Sequence, residues 1–274
     1  VWYAGSIQLE RTDPVEDDPA VFANVEAVEH ELFRSRFAAT VDAMGEMLRR
    51  TALSVNIRER LDFSCALLDG NGYLVVNAPH IPVHLGALGH CVRAVSEILE
   101  WKPGDIAVTN HPGLGGSHLP DVTVMAPVFA GGRRPVAFVA VRAHHAEIGG
   151  KRAGSMPADA DSLAEEGVVI EPFHLFRNGE ENLDRLRNIL TGKEGQRYPS
   201  RAVETNLADV LSQVAAVRAG VHAVTDLVER VGADKVAHFL ERILRQSEDW
   251  MRKAVEGVDI PPEGLKGEVT LDGG

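Results

Sequence analysis

The chain has 274 residues, 45% of them hydrophobic and 25% charged, values within the ordinary range for a globular protein with a core of its own. Lys and Arg number 28 against 40 Asp and Glu, a formal charge of −12. That balance argues against nucleic acid and anionic membrane as partners, because both select basic patches.

The first twenty or so residues are acidic and interrupted by Pro14 and Pro19, and read as a linker or arm over 1–22. The sequence starts without Met or a signal peptide and ends on Val269-Thr270-Leu271-Asp272-Gly273-Gly274, a strand entering a turn, so a fragment is expected at one or both ends. From Asn24 to about Ala52, Val28, Leu32, Val41, Met44 and Leu48 recur at helical spacing with Phe33 and Phe37 beside them. That predicts one long amphipathic helix, with Met44 and Met47 as core filler. Residues 63–68 and 73–76, joined by Asp69-Gly70-Asn71-Gly72, predict a β-hairpin. A short helix is expected around 86–100, then strands at 106–109, 122–125 and 136–141, with Gly131-Gly132 turning the chain between the last two. The segment 149–180 reads as loop with a short strand at 168–170. Helical stripes fill 204–255, punctuated by Gly220 and Gly232. The expected fold is α+β: a long N-terminal helix, a mixed β core over about 60–175 whose long loops carry the site, and a helical region over about 204–255.

Two cysteines, Cys65 and Cys91, are too few for a disulfide framework. Both lie in apolar runs and read as buried thiols in a cytoplasmic protein. No stretch reads as a membrane span.

Of the 11 histidines, seven fall between His80 and His145, which concentrates the chemistry in the loop-rich part of the chain. In Asn110-His111-Pro112-Gly113-Leu114-Gly115-Gly116-Ser117-His118-Leu119-Pro120-Asp121, the prolines stiffen the path and the glycines let the backbone pass close to a ligand. No Walker or GxGxxG pattern makes this a phosphate loop. His118 offers a neutral nitrogen and Asp121 a hard oxygen, a pair that suits Zn²⁺ or Mn²⁺ better than Cu(I). If strands 122–125 and 136–141 form a hairpin, His118 and Asp121 share one rim with His144 and His145, closing a three-residue site. In Asn56–Ser64, Arg58, Glu59 and Arg60 read as a solvated helix end, whereas Asp62 borders a buried run. In Ala78–Gly86 two prolines hold His80 and His84 on a rigid extended segment, which either lines a pocket or builds a turn. His84, His111, Gly116 and Ser117 are the candidate substrate-binding residues.

These segments, with Arg50-Thr51-Ala52, Pro103-Gly104-Asp105, Gly149-Gly150, Gly154-Ser155-Met156-Pro157 and Asn206-Leu207-Ala208-Asp209, resemble the hydantoinase B/oxoprolinase family over roughly 25–265. Asn-His-Pro and Gly-Gly-Ser-His are similar to the ATP-dependent 5-oxoprolinase branch. The resemblance implies that residues 23–274 are the N-terminal part of that domain. It implies ring opening of a cyclic amide, 5-oxoproline or a hydantoin, in a hetero-oligomer with a hydantoinase A-type ATPase. That partner, not this chain, uses the ATP. It also implies a divalent metal on His118, Asp121 and His144, with Asp62 as a further ligand; the resemblance puts the first histidine of the pair on the metal, and strand alternation means that both cannot face the same way. Glu147 and His145 are then candidate proton shuttles. Relatives in the same family make a subunit of an acetone or acetophenone carboxylase the alternative. A non-catalytic fragment that binds its partner through the long helices is the rival outside enzymes. Glu147 stands where the family usually has Asp, and Ala153 where it usually has Pro.

Overall fold

The computed structural model describes residues 19–77, 81–155 and 157–258. The expected arm, His80, Met156 and the C-terminal strand lie outside these, apart from the last residues of the arm. Helix α1 (Pro19–Thr51) is followed by the short α2 (Val55–Arg58), the hairpin β1 (Phe63–Asp69) and β2 (Leu74–Asn77), and helix α3 (His84–Ile98). Strands β3 (Ile106–Thr109), β4 (Asp121–Val128) and β5 (Ala137–His144) come next, then α4 (Leu163–Glu166), β6 (Phe173–Arg177) and β7 (Glu180–Glu181). Helices α5 (Leu183–Leu190), α6 (Val203–Val231) and α7 (Ala233–Glu256) complete the described chain.

The strands form one sheet in the order β2-β1-β5-β4-β3-β6-β7. The fold is α+β, and every pairing is antiparallel rather than mixed. Side chains alternate between two covered faces. Phe63, Cys65, Leu67, Val122, Val124, Val139 and Val141 join the core under α1 and α6. Ala66, Leu68, Met125, Phe138 and Ala140 pack instead with Leu88, Cys91, Val92 and Val95 of α3. With both faces covered, β4 and β5 read as nearly continuous apolar runs. Burial pushes the Cys65 and Cys91 thiols up, which keeps them protonated and unreactive.

The inward stripe of α1 is Phe33, Phe37, Val41, Met44 and Leu48, all buried. Val28 and Leu32 are 60% and 52% exposed, and Met47 is 40% exposed, contrary to expectation. Each residue turns about 100°, so Leu32 and Met47, one step from Phe33 and Leu48, point away from the stripe that those two define. Gly220 does not end a helix. α6 runs through it because α1 crosses there, and a Cβ at 220 would lie 2.4 Å from Met44 Sδ. Gly232, at φ +88°, is the real break between α6 and α7. α6 is long and apolar enough to cross a membrane, but 56% of its apolar window is buried, as in a core helix. The strand expected at 168–170 is instead β6, past Pro172; Val168 and Ile170 hydrogen-bond to Ile148, Thr109 and Asn110 without forming a ladder.

Gly220→Val is expected to lower stability by about 1–3 kcal/mol through overpacking against Met44, with Gly220→Ala costing less. Chemical denaturation of both variants measures this, and a neutral valine contradicts the close crossing.

Candidate metal centre

The hairpin of β4 and β5 sets Asp121 directly opposite His144. Both point to the α3 side of the sheet, with Arg142 two residues before His144. Just before β1, the Asp62 carbonyl accepts from the His144 amide at 2.9 Å and brings Asp62 to the same corner. His118 arrives through a tight turn in which the Asp121 amide donates to the His118 carbonyl at 3.0 Å. That turn is anchored by the buried Leu119 and by Asn110. The Asn110 amide donates to the carbonyls of Leu119 and Val168, each at 2.8 Å, and its oxygen accepts from the Ile170 amide at 2.6 Å.

Asp121 is fully buried, with three imidazoles around its carboxylate. His118 Nδ1 lies 3.0 Å from Oδ2, His84 Nε2 3.3 Å from Oδ2, and His144 Nδ1 3.3 Å from Oδ1. Asp62 Oδ2 is 3.9 Å from His144 Nδ1. His118, Asp121 and His144 each offer one ligand atom, all within 4.8 Å of one another. Burial pushes the Asp121 carboxyl up, but His118, His144 and His84 together hold it well below the usual carboxylate range. The same carboxylate raises His118. His118 Nδ1 and Asp121 Oδ1 are buried yet carry no hydrogen bond of good geometry. Buried polar atoms normally find partners, so two orphans turned to one point fit a cation between them. Two imidazole nitrogens and a carboxylate oxygen suit Zn²⁺ or Mn²⁺, and three protein ligands leave positions open for other groups. His118 is 29% and Asp62 31% exposed, so the corner opens to solvent on their side.

The hydantoinase B/oxoprolinase family model matches residues 26–274. The chain belongs to this family. It is 39% identical to 5-oxoprolinase 1 of Arabidopsis thaliana over 98% of its own length and 22% of that protein. It is 37% identical to the 5-oxoprolinase of Saccharomyces cerevisiae, over 89% of the chain and 19% of the relative. The crystal structure of an ATP-dependent caprolactamase from Pseudomonas jessenii superposes with a TM-score of 0.76 at 27% identity, covering 86% of this chain and 39% of that one. The chain spans about a fifth of the length of the first curated relatives it matches.

Not all the expected site residues of this family member meet at the corner. His145 points to the opposite face, 1% exposed, with Nε2 3.1 Å from Gln213 Oε1 and Nδ1 3.1 Å from Asn206 Nδ2. Burial pushes its pKa down. Glu147 binds Arg201 Nη1 and the Arg201 amide at 2.8 Å each, and Ser200 Oγ and the Gly149 amide at 2.9 Å each. Burial raises its carboxyl, and the hydrogen bonds of Arg201, Ser200 and Gly149 more than offset that, holding it below its ordinary value. Both shuttle candidates are therefore engaged in tying α6 and the loop before it to the end of β5, away from Asp121. His84 begins α3 rather than sitting on an extended segment, and at 1% exposure no substrate reaches it. His111 Nδ1 accepts from the Gly113 amide at 3.0 Å and caps a 3-10 turn at Pro112–Leu114. Gly116 folds back on the His111 carbonyl, and Ser117 is exposed at the loop tip.

Sequence reasoning passed over Ser64 and Arg142. Arg142 is fully buried, with Nε donating to Thr123 Oγ1 at 2.8 Å and Nη2 to the Gly115 carbonyl at 2.7 Å. It bolts the glycine-rich loop to β5. A lone arginine inside an apolar strand was the available signal.

Glu147→Ala strands the Gly149 and Arg201 backbone amides, while the Ser200 hydroxyl keeps Asn206 as a partner, an expected cost of about 1–3 kcal/mol at neutral pH with bound metal unchanged. A carboxyl held below its ordinary value stabilises above the unfolded pKa, so the difference from wild type shrinks as pH falls below about 4.3. Denaturation at several pH values, with metal analysis, checks both parts. Loss of metal in this variant returns Glu147 to the site.

Proposed function

We propose that this chain is the metal-bearing N-terminal part of a hydrolase subunit that opens a cyclic amide, 5-oxoproline or a hydantoin, in an ATP-dependent reaction. The observation that carries the proposal is the convergence of His118, Asp121 and His144 on one point at the solvent-facing corner of the sheet. Its substrate class follows the names of its relatives: 5-oxoproline and caprolactam are both lactams, and both reactions break a ring C–N bond. The partner in hydrolysis is a hydantoinase A-type ATPase, in keeping with a D-/L-hydantoinase relative from Pseudomonas sp. strain NS671 that is named as one subunit of its enzyme. ATP is assigned to that partner, as the family resemblance implies. The buried thiols of Cys65 and Cys91 agree with a reducing cytoplasm.

In this reading His118, Asp121 and His144 hold a Zn²⁺ or Mn²⁺ ion, and Asp62 adds an oxygen from beside the neighbouring strand. Such an ion supplies Lewis acidity and makes a water more acidic than in bulk. The chain itself contributes position. The sheet fixes Asp121 and His144, the Asn110 and Arg142 hydrogen bonds hold the loop that delivers His118, and the exposed edge at Asp62, Ser117 and His118 receives the amide. An amide is a poor electrophile, so activation at the ATPase precedes attack by water.

The test uses the full-length protein purified with its A-type partner. About one divalent ion per chain is expected in wild type and a large loss in His118→Ala, read by elemental analysis. Ring opening of 5-oxoproline or hydantoin is expected to need ATP, to stop on chelation and to return with Zn²⁺ or Mn²⁺. A fully active, metal-free wild type sinks the proposal.

A further inference from the structure

Behind the metal corner, three buried side chains form a line. Ser64 Oγ on β1 lies 3.0 Å from His84 Nδ1, and His84 Nε2 lies 3.3 Å from Asp121 Oδ2. Serine, histidine and aspartate in hydrogen-bonded order are the components of a nucleophilic triad. Here the order of access is reversed. Ser64 is 0% and His84 1% exposed, so no carbonyl can approach the hydroxyl, and the end of the line that meets solvent is the metal corner.

The direction of the hydrogen bonds follows from the inventory of donors. A carboxylate only accepts, so the proton sits on His84 Nε2 and is donated to Asp121. Nδ1 is then the acceptor, and the Ser64 hydroxyl is its donor. Asp121 thus sets the tautomer of His84, and Ser64, whose hydroxyl can donate or accept, completes it by donating to Nδ1. The ring is held from both sides of its helix. His84 opens α3, and α3 packs against the loop carrying His118, where a Cβ at Gly115 would lie 2.7 Å from the Cys91 amide nitrogen and 2.9 Å from the Ala87 carbonyl. α3 therefore sets both the orientation of Asp121 and the path of the loop.

We infer that His84, its Nε2–H turned to Asp121 and its Nδ1 tied to Ser64, is a positioning residue for the metal centre. It occupies one lone pair of Asp121 Oδ2 and holds the carboxylate plane, leaving Oδ1 turned to His144 and the rest of Oδ2 to His118. This rests on the metal reading of the site. It departs from a substrate-binding role for His84, which its burial forbids.

The experiment titrates chelator-stripped full-length protein with Zn²⁺ against a competing chelator, and with Co²⁺ while its visible absorption is followed. His84→Ala is expected to weaken Zn²⁺ binding by about 10–100-fold and to change the Co²⁺ spectrum, as loss of a partner behind a metal ligand does. His84→Gln, which keeps a donor toward Asp121, is expected to recover much of that affinity. Ser64→Ala is expected to lose less than His84→Ala while folding normally, which keeps the test open should His84→Ala fail to fold. A merely structural role lowers the melting temperature and leaves the Zn²⁺ dissociation constant alone. Unchanged affinity in the folded His84 and Ser64 variants, beside a wild type that binds one ion, overturns this role and leaves the metal centre standing. A wild type that binds no ion overturns both.

Discussion

The register between β4 and β5 is the constraint on which the rest of this structure depends. It sets Asp121 opposite His144 and, by alternation, puts both on the α3 face. Because side chains repeat every two residues, a slip of one position in either strand would exchange the faces. In β4 it would carry Asp121 into the apolar layer under α6 and bring Val122 to the corner; in β5 it would put Ala143 or His145 in the place of His144. Polar groups on both faces hold the register. On one, Arg142 reaches Thr123 directly across the pair. On the other, Gln213 donates to the Val122 and Val141 carbonyls, one on each strand.

The two faces use buried polarity differently. Under α6, His145, Asn206 and Gln213 satisfy one another and the backbone, and Glu147 with Ser200 and Arg201 extends this seam to the surface. A satisfied network of this kind rigidifies and asks for nothing further. The α3 face is left unsatisfied. Three imidazoles crowd one carboxylate, and two of the buried atoms at their meeting point lack hydrogen bonds. Burying a charge is costly unless it is matched, and here the matching groups are aimed at a shared point rather than wholly at each other. That contrast separates a structural histidine, His145, from a candidate ligand, His144, at adjacent positions where β5 ends.

Much of this was legible in the chain. The turn residues Asp69-Gly70-Asn71-Gly72 announced the β1–β2 hairpin, and Gly131-Gly132 the β4–β5 hairpin that joins His118 and Asp121 to His144. Period-two logic allowed only one of His144 and His145 at the corner, and the matched family agrees with the resemblance those segments carry. Where local pattern misled, packing from far along the chain decided. Gly220 looks like a helix end until α1 lays Met44 against it, and Leu32 looks like core until Phe33 and Phe37 claim the inward face.

The sequence by itself determined the α+β class, the hairpins, the family and the short list of groups able to bind a cation, because turns, periodicity and residue chemistry are local properties. Only the tertiary structure decided which of those groups meet. His84 is 37 residues from Asp121 and yet touches it, because α3 folds its first turn over the end of the sheet. Glu147 is three residues from His144 and yet is held away by Ser200 and Arg201, more than 50 residues further on. Spacing along a chain sets which side chains can share a face; long-range packing sets which of them are left with unfilled valences, and here those are His118 and Asp121.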